Sequence, residues 1–180
     1  MKLLIIKLAI LVMSVFQDLF TKFGLPENLA GDISFLILFL VVSIAFGMFV
    51  GRFRLINVLI NVYIAIAILT VIPKEILEPT SLAALFVFIA TVIVLTMIDS
   101  HLFDIHLSGS GGSFFWRLFV MSFFESGLIF SVLISFWGKK TMIEYISSDI
   151  YNVFASPYAR VFWMLAPLFV LFFINKKESK

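Results

Sequence analysis

One carboxylate, Glu125, stands near the middle of a 19-residue apolar run, Leu118–Phe136. A charged group at that depth in a hydrocarbon layer is costly, and such residues usually face a bundle interior or a water-filled cavity. On a helix, Ser122 and Ser126 fall close to its face, and Arg117 lies two turns earlier. Two chemistries suit the position. One is a proton or cation relay; the other is a neutral glutamic acid held by hydrogen bonds between helices. A second polar stripe, Arg54, Asn57 and Asn61, runs along another apolar segment. Asparagine surrounded by lipid seeks a partner, so this stripe is expected to face protein. It could hydrogen-bond Glu125 and complete a buried polar cluster, serving either as structural glue or as a polar permeation path.

Asp99-Ser100-His101-Leu102-Phe103-Asp104-Ile105-His106 places four potential metal ligands within eight residues. Imidazole and carboxylate suit zinc or iron. The HxxxH and HExxH spacings are missing, however, and polar residues gather at a membrane interface in any case. No metal and no cofactor is therefore expected, with His101, Asp104 and His106 the residues that would hold one. Neither histidine has an activated serine or cysteine nearby in sequence, so no catalytic triad is indicated. Ser108-Gly109-Ser110-Gly111-Gly112-Ser113 lacks the lysine of a phosphate loop and reads as a hinge between helical pairs. The chain has no cysteine, which excludes disulfides, iron–sulfur clusters and thiolate metal sites. The expectation is a protein that is not an enzyme.

The elements that must position these groups are set by hydrophobicity. Ile33–Val50, Leu55–Ile72, Leu82–Ile98 and Leu118–Phe136 are apolar runs of 17 to 19 residues. Each is long enough to cross a hydrocarbon core of about 30 Å as a helix. Only 13% of the 180 residues are charged, against about 25% in soluble domains, and 62% are hydrophobic. Phenylalanine, 23 residues, is expected to fill lipid-facing and interhelical space. No polar stretch is long enough to build a soluble domain. The expected fold is all-α: a polytopic transmembrane helical bundle of five or six spans in one membrane domain, 1–180. The expected spans are 33–50, 55–72, 82–98, 118–136 and 158–174, with an amphipathic interfacial helix at 141–155.

Residues Met1–Phe16 resemble a signal peptide, but Lys7 interrupts the run and no small-x-small cleavage site follows, so the segment is read as retained. As a membrane-associated helix over 1–22 it either spans, with Lys7 snorkelling, or lies in the interface. Phe23-Gly24-Leu25-Pro26 ends it. In Thr141–Ala155 the apolar positions 143, 146, 150, 153 and 154 share one helical face, which suits a membrane surface or a docking partner. The last run, Val161–Ile174, is extended by Arg160; Trp163 suits an interfacial depth, and Pro167 should bend the helix. With six spans, eight lysines and arginines fall on one side and five on the other, which puts both termini in the cytoplasm and the protein in the plasma (inner) membrane. Without the first span the bias nearly vanishes.

Ser43-x3-Gly47-x3-Gly51 and Gly127-x3-Ser131-x3-Ser135 repeat small residues every fourth position, a spacing that lets helix backbones approach closely. The partner of each face is another span of the chain or a second copy.

Several residues, in order, resemble the colicin V production protein family of bacterial membrane proteins. Asp32 precedes a span that ends in Gly51-Arg52-Phe53-Arg54. Phe88-Ile89-Ala90-Thr91 is similar to the family's third span, and Leu107-Ser108-Gly109 leads to Arg117. The resemblance covers about residues 32–136. Val120 and Met121 stand where the family has glycines, Glu125 matches no family hallmark, and both hydrophobic ends are additional. The resemblance implies no active site. It implies a non-enzymatic inner-membrane protein with an accessory or scaffolding role in export or envelope maintenance. The rival expectation is a small transporter or channel with a polar path around Glu125 and Asn57/Asn61. The expected surroundings are the lipid bilayer and other membrane proteins or further copies of the chain, not nucleic acid.

Overall fold

The computed structural model describes residues 14–51, 54–73, 81–98, 112–137, 139–143 and 146–176. Residues 14–22 are helical, and seven further helices follow: α1 (Glu27–Val50), α2 (Leu55–Val71), α3 (Ser81–Ile98), α4 (Gly112–Trp137), α5 (Lys139–Met142), α6 (Ser148–Ala155) and α7 (Pro157–Lys176). Among the described residues every regular element is helical. In a chain this apolar, helices satisfy their own backbone groups without water.

Local sequence explains the boundaries. Gly24, at φ +84°, and Pro26 make the turn before α1. The helix therefore starts at Glu27, six residues ahead of the apolar run. Gly51 ends it at φ +72°, its N–H donating to the Gly47 carbonyl at 3.0 Å. That left-handed backbone favours glycine. α4 opens at Gly112, inside the glycine- and serine-rich stretch.

α4 is the central helix; α1, α2, α3, α6 and α7 all pack against it, and α2 pairs with α3. Two cores result. On the side of α1, α6 and α7, an aromatic cluster joins Phe39, Phe154 and Trp163, with Phe35, Phe123 and Phe130 packed on it. On the side of α2 and α3, Val58, Leu59, Val62, Phe88, Met121 and Leu128 form an aliphatic core. The outward faces stay apolar: Val41, Met48 and Phe49 on α1, Ile93 and Met97 on α3, and Phe162, Phe169 and Phe172 on α7 are exposed. An apolar perimeter of this extent matches lipid tails and would be a liability in water.

Among the described residues two helices are long and apolar enough to cross a membrane. They contain Leu29–Val50 and Phe115–Phe136, with mean hydropathy 2.8 and 1.9; the bent pair α6–α7 makes a third if counted as one span. That is fewer than the five or six expected. α2 and the Ala83–Ile98 part of α3 are apolar but shorter. A 17-residue helix such as α2 reaches only about 26 Å, less than the ~30 Å hydrocarbon core.

Two further expectations change. The interfacial helix of 141–155 is not continuous: α5 stops at Met142 and α6 begins at Ser148. Ser147 is the cause, because its Oγ accepts from the Ile150 N–H at 3.1 Å and caps a new helix. α7 runs continuously through Pro167, and a 52° bend falls between α6 and α7 at Ser156–Pro157. The residue before a proline is pushed out of the helical region, and Ser156 is extended at ψ 154°. Trp163 is not an interfacial anchor. It is 5% exposed, stacks on Phe154 with ring centres 5.1 Å apart, and donates Nε1–H to the Val153 carbonyl at 2.9 Å.

Candidate functional site

Glu125 lies on the central helix and is 0% exposed. Neither carboxyl oxygen has a hydrogen-bond partner among the described residues, and the adjacent Ser126 hydroxyl is also without one. The expected hydrogen bonds from Asn57 and Asn61 to Glu125 are therefore not formed. Ser122, one turn earlier, is buried and gives its proton to the Leu118 carbonyl at 2.8 Å. An ionised carboxylate held there without a partner would cost several kcal/mol, so the geometry accommodates the neutral acid.

The neighbouring stripe separates. Asn57 and Asn61 are buried on α2. Asn61 Nδ2–H donates to Thr96 Oγ1 at 3.3 Å, which ties α2 to α3, and Thr96 in turn donates to the Val92 carbonyl at 2.7 Å. Arg54 sits at the N-cap of α2 and is exposed; it lines a cavity of about 450 Å³ with Val58, Val92, Thr96 and Met97, between α2 and α3. Arg54 is thus at the rim and away from the carboxyl's sealed surroundings. Sequence reasoning missed Tyr63. This half-buried phenol donates to the Met164 carbonyl, linking α2 to α7. A hydroxyl in the middle of an apolar run was the available signal, since a buried Tyr O–H needs an acceptor.

The small-residue faces are helix contacts within the chain. A Cβ on Gly47 would lie 2.1 Å from Ser122 Oγ and 2.9 Å from Ser122 Cβ, so α1 crosses α4 directly over the serine before Glu125. Ser43, 0% exposed, donates to the Phe39 carbonyl at 2.9 Å. On α4, a Cβ on Gly127 would meet the Trp163 ring at 2.0 Å, so this face takes α7. Ser131 donates to the Phe154 carbonyl of α6 at 2.5 Å, and Ser135 lies at a cavity near the end of α4. Gly51 serves as the turn that ends α1.

No family model, no curated protein and no solved structure matches the chain. The resemblance to the colicin V production family has no family match behind it.

His101, Asp104 and His106 lie outside the described residues. Among the described residues no group of three histidine, aspartate or glutamate side chains is placed to hold a metal. Chemically, the site is one buried carboxyl group in a helix contact, with Ser122 and Ser126 buried beside it.

Proposed function

We propose that the chain is a non-enzymatic, multi-pass protein of a bacterial inner membrane with an accessory or scaffolding role in export or envelope maintenance. In this reading α2 and α3 cross the bilayer as short spans alongside α1, α4 and α7, and a sixth crossing, the one expected ahead of α1, puts both termini in the cytoplasm. The observation that carries it is the inward turn of the polar groups. Asn61 meets Thr96, Ser131 meets the α6 backbone, and Ser122 fills the space over Gly47. What such a bundle offers to its surroundings is an apolar perimeter, suited to contacts in the plane of the membrane. The resemblance over residues 32–136 supports the same role. Crosslinking in native membranes, followed by native electrophoresis, is expected to give a species well above the 20.4 kDa monomer. Recovery of the monomer alone, before and after crosslinking, argues against the role.

One observation favours a second reading, a small transporter or channel. Both oxygens of Glu125 are orphaned, and a buried polar group without a partner calls for an explanation beyond packing. A carboxyl that must exchange its proton gains from having no fixed partner. This reading expects Glu125→Gln to abolish proton or cation flux in proteoliposomes while thermal stability stays within about 1 kcal/mol.

A further inference from the structure

The C-terminal turns of α2 and α4 and the N-terminal turn of α7 converge at one end of the bundle. Between them lies a cavity of about 260 Å³. Among its described lining residues Arg160 alone is charged; it is exposed and makes no ion pair among the described residues. Thr70, Ser131 and Ser135 supply three hydroxyls, and the remaining wall is apolar, Leu69 and Met164 among it.

The hydroxyl protons are already committed. Thr70 donates to the Ala67 carbonyl at 2.6 Å, Ser131 to the Phe154 carbonyl at 2.5 Å and Ser135 to the Val132 carbonyl at 2.7 Å. A hydroxyl has one proton and two lone pairs, so each presents acceptors to the cavity. The guanidinium adds a rigid fork of donors that matches a phosphate. The complementary ligand carries an anionic acceptor and hydrogen-bond donors side by side.

Position selects among phosphate compounds with that property. The cavity lies where helix ends meet the edge of the apolar perimeter. Below Arg160, the exposed Val161, Leu165, Leu168 and Phe169 of α7 form an outward apolar track. The volume falls just below the ~300 Å³ of small-molecule pockets, enough for a headgroup with its chains lying outside. Basic pockets between membrane helices hold lipid headgroups in this manner.

We propose that this cavity is a phospholipid headgroup site that prefers headgroups bearing donors, ethanolamine or glycerol, over choline. Arg160 takes the phosphate, and the lone pairs of Thr70, Ser131 and Ser135 take the ammonium or hydroxyl protons.

Native mass spectrometry of the purified full chain tests this, with phosphatidylethanolamine, phosphatidylglycerol and phosphatidylcholine of matched chains supplied in equal amounts. The wild type should retain the first two over choline by about tenfold, the worth of one or two hydrogen bonds. Arg160→Gln, an exposed substitution, should strip all three lipids to background. The double variant Thr70→Val with Ser135→Ala should keep lipid binding but lose the headgroup preference. Equal retention of choline lipid by the wild type overturns the selectivity. Unchanged retention in Arg160→Gln overturns the site. Displacement of bound lipid by inorganic phosphate alone would identify a phosphate site and overturn the lipid assignment.

Discussion

Glycine and serine do most of the positioning at the scale of single residues. Gly47 leaves room for Ser122, and the space has little tolerance: a methyl group there meets Oγ at 2.1 Å. Overfilling a packed contact costs about 1–3 kcal/mol. Gly47→Ala is therefore expected to destabilise the bundle by that amount in thermal unfolding. Pairing it with Ser122→Gly, which moves the missing Cβ to the other helix, should recover most of the loss. If the double variant is no better than the single one, the crossing of α1 over α4 is not where the structure puts it. Glu125 was legible in the sequence because a lone ionisable residue in an apolar run has few neutral explanations. Its lack of partners was not legible. Asn57 and Asn61 share a stripe that would suit it, yet Asn61 turns to Thr96, and the spacing of residues within α2 cannot say which neighbouring helix the stripe faces. The Ser131 contact with Phe154 was hidden for a similar reason: its partner is a backbone carbonyl 23 residues away.

Individual helices follow from simple rules where those rules act locally. The apolar runs became α1 to α4, and glycine and proline set the ends of α1. The region after α4 defied periodicity. Its apolar positions share one helical face, but Ser147 offers a cap in mid-segment and Ser156–Pro157 forces an extended residue, so two short pieces and a bend replace one surface helix. α6 is then drawn into the bundle, with Phe154 1% exposed against α1, α4 and α7. Ser131 is its polar tie to α4. Ser131→Ala leaves the Phe154 carbonyl without its donor, at a cost of about 1–3 kcal/mol. Amide hydrogen exchange in residues 148–155 should accelerate roughly tenfold or more, since 1.4 kcal/mol is a factor of ten, while exchange in α1 is unchanged. Uniform acceleration across both would show that α6 has no independent hold on α4.

For the whole molecule, composition is compatible with membrane residence, whereas the number of crossings does not follow from it. Apolar content says that a helix belongs in lipid; length decides whether it reaches both faces, and α2 falls short of a typical core. Short spans thin the bilayer or favour a thinner one, at a fraction of a kcal/mol per Å of mismatch. If α2 and α3 cross, the melting temperature in bilayers should rise as acyl chains are shortened from long to medium length. Stability that rises with thickness instead would place these two helices at the surface. The orientation of the bundle rests on the lysine and arginine bias, which depends on the same count of crossings.

The polar interior around Glu125 is expected to be sealed helix packing. The absence of native cysteine makes this directly measurable. Single cysteines at positions 122, 125 and 126, with controls at 110 and 140, would be challenged by a membrane-impermeant thiol reagent in intact cells and in inverted vesicles, with folding checked by size exclusion. The account predicts that the controls label from opposite sides and that all three interior positions stay protected from both. Labelling at position 125 in a folded variant would mean that water reaches mid-membrane. That result would contradict the sealed bundle and put the transporter reading in its place.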